Sequence, residues 1–208
     1  MKMKMKMKTN SIIAIIVVGL LGLSGCSNSS ESATKELSSM SALQASDEIP
    51  QSLAGLSTGS TDVVLGQVVD LQQSRKVTFV SGQSFEMWAV KVKVTGVLKG
   101  DLKVESTQYI ELPLGDEESM SKLRSLILNR AVVVYASPVE PTDDSQFTAT
   151  SMLKFDNDNS LLKTPNGIGF IVEIPEDESL VWPFEGTVSK GSLKDVLPGG
   201  ALANKSWN

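Results

Sequence analysis

Residues 85–98 alternate in character: Trp88, Val90, Val92 and Val94 fall on one parity, and Ala89, Lys91, Lys93 and Thr95 on the other. A period of two sends successive side chains to opposite faces, so the run predicts a strand with one apolar and one wet face. Gly96 interrupts it. A second apolar run at 62–71, with Val63, Val64, Leu65, Val68 and Val69, carries Gly66 in its middle. A glycine inside a strand marks a bulge or a sharp bend. Two long strands bent at glycines predict a mainly β fold, an antiparallel small barrel or sandwich.

The rest of the chain fits that frame. Residues 51–56 predict one or two helical turns, 72–76 a polar turn, 77–80 a short strand and 107–112 another, closed by Pro113. Met120, Leu123 and Ile127 share one face of a helix at 119–128, with acids at its start and Arg130 past its end, as the helix dipole favours. Residues 131–136 form an unbroken apolar run, which predicts a central strand covered on both faces. Further strands are expected at 146–155, 169–174 and 180–182, with turns at 156–159 and 166–167. A short capped helix is expected at 192–197, before Pro198-Gly199-Gly200. No long helix alternates with these strands, which disfavours a parallel α/β fold. The pairing of Val63-Val64-Leu65-Gly66-Gln67-Val68 with Val92-Lys93-Val94-Thr95-Gly96-Val97-Leu98-Lys99-Gly100 resembles the opening of small OB-like or netrin-like barrel domains of exported proteins, over residues 60–135. Netrin-like inhibitors carry cysteines that this chain lacks, so the resemblance implies a fold and no activity.

The N-terminus reads as an address. Lys2, Lys4, Lys6 and Lys8 make a basic start, and residues 12–23 are apolar apart from Gly19 and Gly22. Twelve helical residues rise about 18 Å, short of the ~20 residues that a bilayer requires, so the run suits a signal sequence. It ends in Leu23-Ser24-Gly25-Cys26, which resembles the lipobox of bacterial lipoproteins. The resemblance implies cleavage before Cys26, a diacylglyceryl group on its sulfur, and a lipid-anchored protein outside the cytoplasmic membrane. Ser27 in place of aspartate implies that an outer membrane is open to it where the cell has one. Cys26 is the single cysteine, so no intramolecular disulfide braces the domain. The expected organisation is a signal peptide at 1–25, a Ser-rich lipidated tether at 26–48, one β-rich domain at 49–200 and a tail at 201–208. The tether contains a weakly amphipathic stretch, 33–43, read as spacer.

Removing residues 1–25 takes away four lysines and no acid, so the net charge moves from −5 to −9. That sign disfavours nucleic acid, whose phosphates require Lys and Arg clusters. The chain has no histidine, which removes a Ser-His-Asp triad, a Cys-His pair and histidine-bound zinc. A Ser-Lys dyad is not singled out by any spacing. Asp156-Asn157-Asp158 begins like a calcium loop, but Leu161 stands at the glycine position and Gly167 at the glutamate position, so it reads as a turn. The acidic clusters 116–118 and 176–178 read as solvated loops. Leu197-Pro198-Gly199-Gly200 lacks the threonine and the hydrophobic tail of a sortase signal and reads as a helix stop. Trp88 reads as core; Trp182 is open between core and ligand groove. No cofactor or metal is indicated. The sequence therefore predicts a lipoprotein whose membrane partner is engaged through Cys26 and whose domain binds an envelope protein, peptide or small ligand. The alternative is a lipid-anchored envelope hydrolase working without histidine.

Overall fold

A computed structural model describes residues 27–40, 52–112, 117–139, 147–151, 153 and 161–204. Two helices, α1 (Ser27–Ser38) and α2 (Leu53–Gly59), precede the long hairpin of β1 (Asp62–Phe79) and β2 (Ser84–Lys99). β3 (Thr107–Leu112), α3 (Glu117–Ile127), β4 (Ala131–Pro138), β5 (Phe147–Ser151) and β6 (Leu161–Lys163) follow. The described chain continues through β7 (Phe170–Ile174), β8 (Ser179–Trp182), β9 (Thr187–Lys190) and α4 (Leu193–Val196). The nine strands form one sheet, ordered β5-β1-β2-β3-β6-β4-β7-β8-β9, and a further β1–β4 pairing closes five of them, β1, β2, β3, β6 and β4, into a ring. All pairings are antiparallel except β3–β6, which is parallel. The mainly β architecture expected from the sequence is therefore present, with four short helices among the described residues.

The alternating runs explain the ring. Val64, Val68, Val90, Val92, Val94, Ile110, Val132 and Val134 share one buried cluster, the inward parity of each strand. The other parity of β4, Val133 and Tyr135, packs against Ile171, Leu180 and Trp182, with Leu53 and Leu56 of α2 and Leu193 and Val196 of α4. This second layer is why β4 is apolar without alternation. Gly66 lies where β1 is flanked by β2 and β4 at once. A Cβ there would stand 2.3 Å from Val92 Cγ1 and 2.9 Å from the Lys93 carbonyl oxygen, whereas one on Gly96 would make an ordinary 3.4 Å contact with Leu65. Ring closure thus needs the first glycine more than the second.

Two expectations are corrected and one open reading is decided. The turn at 72–76 does not form; β1 runs through it as strand. The tether at 26–48 contains α1, whose Leu37 is wholly buried in the ring's cluster beside Met120, Leu123 and Ile127 of α3, so the folded body does not begin at 49. Trp182 is fully buried and is core. The turn at 156–159 lies outside the described residues.

Candidate functional site

The missed turn is a built polar feature. β1 pairs with β2 at Gln73↔Trp88 and next at Lys76↔Glu86, so Ser74 and Arg75 face a single β2 residue across a bulge. Adjacent residues of a regular strand point to opposite faces, yet here both reach Glu111 of β3. Ser74 Oγ donates to Oε2 at 2.8 Å, Arg75 Nε donates to Oε2 at 2.8 Å and its Nη2 to Oε1 at 2.5 Å. The carboxylate is 4% exposed and the guanidinium 20%. With both carboxylate oxygens used by a guanidinium fork, this cluster holds the sheet and leaves no group to react.

A groove of about 280 Å³ lies between α2 and the chain that follows α4. Leu53 and Ser57 form one wall, Leu197, Pro198 and Asn204 the other, and Tyr135 the floor. The second wall is a helix stop, as expected from Leu197-Pro198-Gly199-Gly200: Gly200 N–H donates to the Leu197 carbonyl, and Leu202 N–H returns to that of Asp195. Gly199 adopts φ +85°, a conformation that glycine takes freely. Ser192 and Asp195 form the capping box that starts α4. None of the described lining side chains carries a charge.

Tyr135 donates its hydroxyl to the Val196 carbonyl, and burial pushes its pKa from 10.0 up to about 12. A phenol harder to ionise in the fold than in the unfolded chain contributes stability that is full below pH 10 and lost as pH rises through 12. Urea unfolding across that window is expected to show a loss of about 2 kcal/mol. Tyr135→Phe should flatten that slope, and an equal slope in the variant would assign it elsewhere.

The second groove, about 210 Å³, is bounded by Leu71, Trp88, Glu117, Met120 and Arg124. Arg124 is held by Asp70 Oδ1 at 2.7 Å and by the Leu71 carbonyl at 3.2 Å. Trp88 packs half-buried against the ring's cluster, and its Nε1 is shielded from solvent with no hydrogen-bond partner among the described residues, so the N–H is not presented to the groove.

The remaining sequence candidates separate. Cys26 and residues 156–160 lie outside the described residues. Glu117 and Glu118 are exposed in the first turn of α3. Glu176 pairs with Arg130 at 3.0 Å, and its carboxyl is held below the usual range by a backbone hydrogen bond and by that guanidinium. Asp177 accepts from Thr34 of α1, and Glu178 takes a left-handed turn at φ 49°. Asp177 thus ties α1 to the turn before β8 and Glu176 ties that turn to the residue before β4, and among the described residues no group of three metal-ligating side chains converges. Lys99 donates to the carbonyls of Ser57, Thr58 and Ser60 at the end of α2, so it serves as a helix-terminal cation. No protein-family model matches the chain, and no curated protein matches it.

Proposed function

We propose that this chain is a bacterial lipoprotein, anchored through diacylglyceryl-Cys26 outside the cytoplasmic membrane, whose domain binds an uncharged peptide segment or small ligand. The observation that carries the binding reading is the larger groove. It combines apolar walls with a few neutral polar groups, which is the lining that small-molecule and peptide sites use, and among the described residues no carboxylate or ammonium enters it. A hydrolase without histidine needs converging Ser, Lys or carboxylates; Lys99, beside Ser57, spends its donors on carbonyls. An OB-like reading of the ring is supported by its five-stranded closure, its parallel β3–β6 pairing and the helix between β3 and β4.

Intact mass and detergent-phase partitioning of the native protein beside Cys26→Ala test the anchor. The native chain should begin at Cys26 with added acyl mass and enter the detergent phase, and the variant should stay aqueous. An unmodified, aqueous native protein sinks the anchor. For the groove, Ala54→Trp places an indole in the space, and photo-crosslinked capture from membranes should lose its product in this variant. Equal capture by both proteins would exclude the groove as the site.

A further inference from the structure

We propose that the far end of the β1–β2 hairpin is an arm whose uncharged tip dips into a neutral lipid surface; this rests on the lipid-anchor reading, which supplies the surface. The ring uses only part of the hairpin. β4 leaves β1 after Gln67, and β3 leaves β2 at Trp88. Beyond the bulge, Lys76–Thr78 pair with Ser84–Glu86, and β5 joins the outer side of β1 from Arg75 to Phe79. The result is a three-stranded blade outside the ring, extending about 20 Å past Gln73 at ~3.3 Å per residue.

The composition of the blade differs from that of the chain. Charged residues make up 21% of the sequence, yet residues 77–85 and 147–151 contain none. Val80, at the turn, is 79% exposed and Phe79 38%, and the Phe79 and Phe85 rings lie 5.6 Å apart, tilted by 41°. An apolar tip without charge is what an interfacial membrane contact uses, whereas like charge keeps the acidic remainder from approaching an anionic surface. Anchoring raises the local lipid concentration and so adds to an insertion that the tip makes by itself. Asp143 and Asp144 precede Phe147 by a few residues in sequence. The arm should therefore prefer zwitterionic lipid, and anionic lipid should weaken its contact.

The test uses the lipidated protein in phosphatidylcholine vesicles. Cys26 is the only native thiol and lipid blocks it, so Val80→Cys takes a polarity-sensitive dye at one position. Leu98→Cys, exposed at the opposite end of the hairpin, is the control. At position 80 emission should shift to the blue and fall about twofold or more with brominated lipid; at position 98 neither change is expected, and added phosphatidylglycerol should reduce the effect at 80. Equal behaviour at both positions overturns the proposal, as does burial of the dye at 80 in a dimer detected by sedimentation. Intact mass keeps the two readings apart. With lipid on Cys26 and no quenching at 80, the arm fails and the anchor stands. Without lipid on Cys26 the anchor fails, and the arm is then judged by flotation of the unlipidated chain with those vesicles beside Val80→Asp. Flotation lowered about tenfold in the variant upholds the arm, and equal flotation or none rejects it.

Discussion

Arg75→Ala is expected to lower the unfolding free energy by about 3–5 kcal/mol, read by urea denaturation at neutral pH. The variant leaves Glu111, 4% exposed, with the Ser74 hydroxyl still donating to its Oε2 but no cation beside it, and a buried carboxylate deprived of its cation is among the most costly defects a domain can carry. Glu111→Ala should cost less, about 2–3 kcal/mol, because the guanidinium is 20% exposed and can turn toward water. Arg75→Met with Glu111→Leu should recover most of the loss, since an apolar pair of similar volume avoids desolvating either charge. The exposed pair Lys93–Glu105, with side chains 44% and 69% exposed, is the control and should change stability by less than ~1 kcal/mol. A loss below ~1 kcal/mol for Arg75→Ala would mean that the bulge holds itself without the ion pair.

That cluster also marks where sequence stops being legible. The alternation at 85–98 and the unbroken run at 131–136 announce β2 and β4, because each pattern follows from what one strand's own faces touch. The helical spacing of Met120, Leu123 and Ile127 announces α3 in the same way. Residues 72–76 contain the polar run that ordinarily makes a turn. They stay extended because Glu111, 36 residues away from Arg75, satisfies the bulge, and no local window contains that partner. β6 and β9, of three and four residues, are too short for periodicity to register. The larger groove is assembled from α2, β4 and the chain after α4. Only its Leu197-Pro198-Gly199-Gly200 wall was distinctive in sequence, and that wall read as a helix stop, which it is. Trp182 illustrates a different limit. Its flanking Pro183 and acids leave core and groove both open, but β8 runs between β7 and β9, and the indole packs in the cluster of Val133, Tyr135 and Ile171, where it is buried entirely.

Leu37→Ala is expected to cost about 2–4 kcal/mol, the second large effect and the one that decides what the Ser-rich segment is. A leucine in a spacer would change stability by no more than ~0.5 kcal/mol. Leu37 is instead fully buried in the cluster that fills the ring, and α1 is fastened there by Thr34 to Asp177 and by Glu36 to Lys122 at 3.9 Å. The helix is poor in propensity, with four serines and an asparagine among its first five side chains and the residue at 32, so its order comes from docking and not from its own sequence. That is why composition alone reads it as a tether. Lys35→Ala, on the exposed side of the same helix, supplies the comparison and should be near neutral. Loss of stability at Leu37 without loss at Lys35 makes α1 part of the fold, and equal, small effects would return the segment to the role of spacer. The outcome bears on the anchor as well. A docked helix beginning at Ser27 holds that residue within about 15 Å of Leu37, whereas a free chain over 26–48 would let the domain range some ~75 Å from a lipid at its start. On the docked geometry, the lipid proposed for Cys26 would keep the domain close to the bilayer.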